Sequence, residues 1–118
     1  MALTRGDVVL ARVPHTAGTR GKKRPAVVIQ GDAYNAALRH VVLAEVTSNP
    51  RWLSDPACVA IDLSTAEGIA TGLHKNGVVS CLHLVTMNAD RIDPPIGRLS
   101  QALLQQLDSS LKIALQLP

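Results

Sequence analysis

The sequence predicts a mainly β (α+β) fold: a small antiparallel barrel with one C-terminal α-helix. Three observations carry this reading. Five or more short runs rich in Val, Ile and Leu are separated by segments containing Gly and Pro. Most of those separating segments are too short for helical crossovers, which favours antiparallel pairing. Only the C-terminal stretch carries an apolar period of helical spacing.

Each element follows in order. "DVVLARV", residues 7–13, is a strand dominated by β-branched residues and ended by Pro14. Residues 14–24 form a basic loop punctuated by Gly18 and Gly21. Pro25 opens a second strand, "PAVVIQ", at a position where no ladder donor is needed. Residues 31–39 connect it, with room for one helical turn, to a third strand at residues 40–48. The period of two sets Val42, Ala44 and Val46 on one face of that strand. Those three are purely apolar and belong to the core; Leu43, Glu45 and Thr47 then face outward.

"ACVAIDL", residues 57–63, is a fourth strand, and a glycine-punctuated connection follows. "VVSCLHLVTM", residues 78–87, is a long, nearly continuous apolar strand expected at the centre of the sheet. The next stretch is extended and turn-rich, and Pro94-Pro95 excludes helix there. Ser100 is a helix N-cap, after which Leu103, Leu104, Leu107, Leu111, Ala114 and Leu115 recur on one face. Asp108 and Lys112 pair across one turn of the other face.

At 118 residues the chain has the length of one domain, residues 1–118. With no Phe, one Trp and one Tyr, its core is aliphatic, and an aromatic platform for stacking nucleotides is not expected. The N-terminal segment carries charges where a signal peptide has its apolar region, and no apolar run approaches a membrane span. Cys58 and Cys81 lack metal-ligand spacing and read as buried, reduced thiols, as in a cytoplasmic protein.

Charge is unevenly spread. Residues 1–51 hold eight Lys/Arg against three Asp/Glu, a balance of +5; residues 52–118 hold four against six, a balance of −2. The basic half is where an anionic partner would dock. Within it, Arg20, Lys22, Lys23 and Arg24 crowd into five positions. Arginine presents a planar fork of donors that matches phosphate oxygens and stays charged at any working pH. Arg24 abuts Pro25 and the strand, so the sheet fixes its base. Arg20, Lys22 and Lys23 lie further into the loop and suit diffuse attraction of a polyanion.

"TSN", Thr47 to Asn49, places two hydroxyls and an amide at a strand end. Plain turn chemistry explains Ser48 and Asn49 equally well, although a hydroxyl on a rigid strand can also donate to a phosphoryl oxygen. His83 falls inside the central strand and reads as buried or facing a second subunit; His15 and His74 read as loop residues. The sequence holds no H-x-x-x-H, no C-x-x-C, no Walker loop and no G-x-S-x-G. What remains is binding of an anion or metal-independent chemistry on a phosphate, with no cofactor.

"RGDVVLARV", "KKRPAVVIQ", "AEVTSNP" and "GVVSCLHLVTM" with "RIDPPIGRLS", in this order before a final helix, resemble the MazF/PemK family of toxins from type II toxin–antitoxin systems. The resemblance implies an SH3-like barrel of the PemK/CcdB type, usually a homodimer. It implies a metal-independent endoribonuclease that cuts single-stranded RNA at short sequences, and a cognate antitoxin whose C-terminal segment occupies the RNA groove. It assigns the catalytic pair to Arg24 and Thr47; Arg20, Lys22, Lys23, Ser48, Asn49 and His15 are then the candidates to contact RNA. Some members carry an acidic residue in the loop before the "RP" motif; here Thr19 and Arg20 stand there, with no carboxylate between Asp7 and Asp32. His15 is then the candidate to take the proton of the attacking 2′-hydroxyl. Two other readings stay open: a gyrase inhibitor of the CcdB group with the same barrel, and a nucleic-acid-binding barrel without catalysis.

Overall fold

Six antiparallel strands form one curled sheet, a half-barrel with a helix laid against it, described for residues 2–13 and 22–118 in a computed structural model. The strands are β1 (Asp7–Ala11), β2 (Arg24–Val28), β3 (His40–Thr47), β4 (Cys58–Ile61), β5 (Gly77–Asn88) and β6 (Gly97–Arg98). Their order in the sheet is β4-β5-β3-β2-β1-β6. The helices are α1 (Asp32–Ala37), α2 (Ala66–Ile69) and α3 (Gln101–Leu115), and single 3-10 turns occupy Pro50–Trp52 and Ala89–Arg91.

The strands are apolar along both faces because the sheet is covered on both sides. Val9, Ala11, Ala26, Val28, Val41 and Leu43 turn into the curl of the sheet, where Leu3, Met87 and Ile92 join them. Val8, Val27, Ala44, Val59, Ile61 and Val79 turn to the other face and pack beneath Leu99, Leu103 and Leu107. This corrects the expected phase of β3. Ala44 and Val46 do pack inward under α3, but Leu43, expected outside, is fully buried on the opposite face. A two-core sheet has no outer apolar face for the period to reveal.

The register explains a second departure. Along β3 and β5 the pairing runs regularly to Ala44↔Leu84 and resumes at Glu45↔Ser80. Cys81, Leu82 and His83 therefore have no partner on β3, an insertion larger than the single extra residue of an ordinary bulge. Leu82, His83 and Leu84 are exposed, so the strand expected to be apolar throughout is continuously buried only over residues 77–81, with Met87 buried again near its end.

The helix α3 starts where expected. Ser100 Oγ accepts from the Leu103 N–H at 3.1 Å, which satisfies one of the donors a helix start leaves open. Leu103 and Leu107 are buried and Leu104, Leu111 and Ala114 partly so, but Leu115 overruns the sheet and is exposed. Asp108 turns to Arg5, whose Nη2 lies 2.8 Å from its Oδ1, and not to Lys112. Arg5 Nε also donates to the Ile29 carbonyl at 2.9 Å. Gly6, next in the chain, has φ +95°, and a Cβ there would meet the Leu104 side chain at 3.0 Å. Asp7 Oδ2 accepts from the Thr4 N–H at 2.8 Å. The "RGDV" motif is thus a structural clasp between the N-terminal turn, β2 and α3.

Cys58 and Cys81 are free thiols; Cys81 is buried and Cys58 half-buried. Burial, with a smaller push from Cys58, raises the Cys81 thiol from 9.0 to about 11. Among the described residues no helix is long and apolar enough to cross a membrane.

Candidate active site

The start of β2, the end of β3 and the start of β5 converge on a groove of about 570 Å³. Strand register builds its floor. β2 and β3 pair with Ala26 opposite Glu45 and Val27 opposite Ala44. Arg24 and Thr47 each lie two residues beyond the last pair of that ladder, and both line the groove. Arg24 belongs to the strand itself, where its backbone lies opposite Ala11.

The side chains on that floor are poised differently. Arg24 Nε is shut off from solvent and finds no hydrogen-bond partner among the described residues. Thr47 Oγ1 accepts from the Asn49 N–H at 3.1 Å, which leaves its own O–H proton for a second partner. Asn49 Oδ1 accepts from the Arg51 N–H at 3.0 Å and caps the 3-10 turn, so Asn49 has a structural duty while lining the groove. Ser48 lines the groove and is exposed. Lys22 and Lys23 stand at the rim, and Lys23 Nζ is held 2.6 Å from Asp93 Oδ2. His15 and Arg20 lie outside the described residues.

The groove also contains residues that sequence reasoning did not assign to it. Glu45 lines it two positions before Thr47. Residues 73–77 form a further wall, bringing His74, Lys75 and Asn76. Asn76 Oδ1 accepts from the Leu63 N–H at 2.7 Å, and a Cβ on Gly77 would come within 3.0 Å of Val46 Cγ1, so this wall presses closely on β3. Trp52, Ser80 and His83 complete it. His83 is exposed on the groove wall, not buried, because the break in the β3–β5 ladder releases it. Its ring centroid is 5.4 Å from that of Trp52, with the planes 73° apart, and its Nδ1 is 2.7 Å from Ser80 Oγ. Arg51 Cζ sits 4.7 Å over the Trp52 ring. The local signal was weak: a lone Trp after "NP" and a His in an apolar run meet only through the bulge.

Chemically, the groove combines cationic and neutral polar groups. Lys22, Lys23, Arg24 and Lys75 supply positive charge, and Thr47, Ser48 and Asn49 supply neutral polar groups. Among the described residues no group of three or more His, Cys, Asp or Glu side chains could hold a metal ion.

The half-barrel and its groove make this a small β protein with a cleft rich in Lys and Arg. Residues 4–115 match the family described as PemK-like, MazF-like toxin of type II toxin-antitoxin system, and the chain belongs to that family. It is 30% identical over 119 residues to the endoribonuclease MazF6 of Mycobacterium tuberculosis, covering 99% of this chain and all of that one. It is 27% identical to the endoribonuclease EndoA of Bacillus subtilis, covering 99% and 97%. Among solved structures, a mycobacterial endoribonuclease in complex with its cognate antitoxin has the same fold, with a TM-score of 0.78 at 23% identity over 99% of this chain and 98% of that one. So does MazF in a MazE–MazF structure from Deinococcus radiodurans, with a TM-score of 0.76 at 19% identity over the whole of both chains.

Proposed function

We propose that this toxin endoribonuclease cuts single-stranded RNA at short sequences without a metal ion, using Arg24 and Thr47. The observation that carries the assignment is Arg24 Nε: a buried cationic donor with no partner among the described residues, on the same groove as the strand-end hydroxyl of Thr47. Buried donors are almost always satisfied, so an orphan in a groove marks the place of a ligand acceptor. A phosphate oxygen supplies one.

In the proposed reaction the 2′-hydroxyl of one nucleotide attacks the adjacent phosphorus. A new P–O2′ bond forms as the 2′-hydroxyl gives up its proton to solvent, and the P–O5′ bond breaks as the departing 5′-oxygen takes a proton from solvent, so the proton count is unchanged. The products are a 2′,3′-cyclic phosphate and a 5′-hydroxyl. Negative charge builds on the nonbridging oxygens at the crowded phosphorus. Arg24 and the Thr47 hydroxyl donate to those oxygens from positions fixed by the sheet, so no reorganisation is needed as charge develops. Lys22, Lys23 and Lys75 draw in the flanking backbone, and Ser48 and Asn49 lie beside it.

The test is end-group analysis of a mixed-sequence RNA cut by the pure protein in EDTA. Fragments should accept label from polynucleotide kinase without prior phosphatase, as 5′-hydroxyl ends do. Fragments carrying 5′-phosphates, or cleavage abolished by EDTA, would overturn the mechanism.

A cognate antitoxin is the protein partner, and a segment of it covering this groove would block the reaction. A homodimer is also proposed. The leucine stripe of α3 is spent on its own core, but Leu82 and Leu84 of β5 are exposed beside the groove strand. A concentration-independent monomer in sedimentation would contradict it.

A further inference from the structure

We infer that the corner formed by Trp52 and His83 is a nucleobase subsite, and that Ser80 tunes it to a base presenting a carbonyl oxygen. This rests on the RNA-cleaving reading of the same groove and goes beyond it by naming which residues read a base.

Two rings near a right angle offer a planar ligand a flat face on one and an edge contact on the other. Trp52 and His83 provide that corner on the groove wall, and the Arg51 guanidinium over the indole adds cation–π character to the stack. The corner lies on the same groove as Arg24 and Thr47, so a strand whose phosphate sits on that pair passes it.

The hydrogen bonds at Ser80 favour one tautomer of His83. Ser80 has 0% of its surface exposed, so its hydroxyl proton cannot go to water. Its Oγ already accepts from the Leu82 N–H at 3.2 Å. Its other partner is His83 Nδ1 at 2.7 Å, the acceptor available for the buried O–H. Ser80 therefore donates to Nδ1, and the neutral ring carries its proton on Nε2. The nitrogen left for a ligand is a donor. Uracil O4 and guanine O6 accept from such a donor, whereas cytosine and adenine carry an amino group at the corresponding place.

Trp52 is the sole tryptophan of the chain, so its emission reports on this corner directly. The experiment titrates the full-length protein with 2′-O-methyl oligouridylate and oligocytidylate, which cannot be cleaved, and reads tryptophan quenching. Both should quench, and uridylate should bind roughly ten-fold more tightly, the worth of one well-placed hydrogen bond. His83→Ala should remove that preference. Ser80→Ala, which frees the ring to present either nitrogen, should weaken the preference, while Trp52→Phe, read instead by the anisotropy of fluorophore-labelled oligonucleotides, should retain it. In cleavage, Ser80→Ala should widen the base tolerated at one site position and raise KM more than it lowers kcat. Absence of quenching by either oligonucleotide, from protein that does cut RNA, would overturn the subsite and leave the function standing. Quenching by protein that cuts no RNA would keep the subsite and remove the enzymatic reading. Equal binding of the two oligonucleotides, or emission that responds only to an antitoxin peptide, would overturn the inference.

Discussion

A charged donor shut away from water without a partner costs roughly 1–3 kcal/mol or more, and Arg24 Nε has none among the described residues. The residue is kept at the expense of stability. Arg24→Met, which fills the same space without the orphan donor, should leave the thermal midpoint unchanged or raise it by a few degrees while abolishing cleavage; a fall of more than about 5 °C would contradict this account. Arg24→Lys should not rescue, because an ammonium lacks the planar fork. Cys81 supplies a second prediction. Its thiol is raised to about 11, so the fold favours the neutral form. The stability it contributes is full below pH 9 and lost as pH rises through about 11, a loss that Cys81→Ala should remove. Mass spectrometry after iodoacetamide at pH 8 should show Cys58 modified first. At this scale the positions of Arg24 at a strand start and Thr47 at a strand end were legible because each sits in a short local motif. Trp52 and His83 were not, because a break in strand register far from Trp52 brings them together.

The helix α3 was legible almost to the residue, since its cap and its apolar period are both local. Ser100→Ala should cost about 1 kcal/mol for the lost cap, and Leu107→Ala about 2–5 kcal/mol for the cavity beneath the helix, both read by denaturant unfolding. Neither should change where RNA is cut. The phase of β3 was only half legible. Its period of two assumes one wet face, and Val41 and Leu43 break that assumption because the curled sheet forms a second core. The pairing of Asp108 was misread for a related reason: its neighbour Lys112 is visible in sequence, while Arg5, its actual partner, is brought by the fold.

For the molecule as a whole, the charge imbalance between the two halves of the sequence becomes a groove lined by Lys22, Lys23, Arg24 and Lys75. One of these, Lys23, is already paired with Asp93. Binding of a non-cleavable single strand should therefore lose affinity with salt at a log–log slope of about −2 to −3, and a slope near zero would mean the groove is not the binding surface. The central claim is that the Arg24–Thr47 floor of this groove performs the cleavage. Its most direct test is the single-turnover rate at one mapped RNA site, in EDTA, for the wild-type protein, Arg24→Ala and Thr47→Ala, with folding of all three checked by circular dichroism. Each substitution should slow cleavage by about 100-fold or more in a folded protein. Folded variants that cut at the wild-type rate would place the chemistry elsewhere.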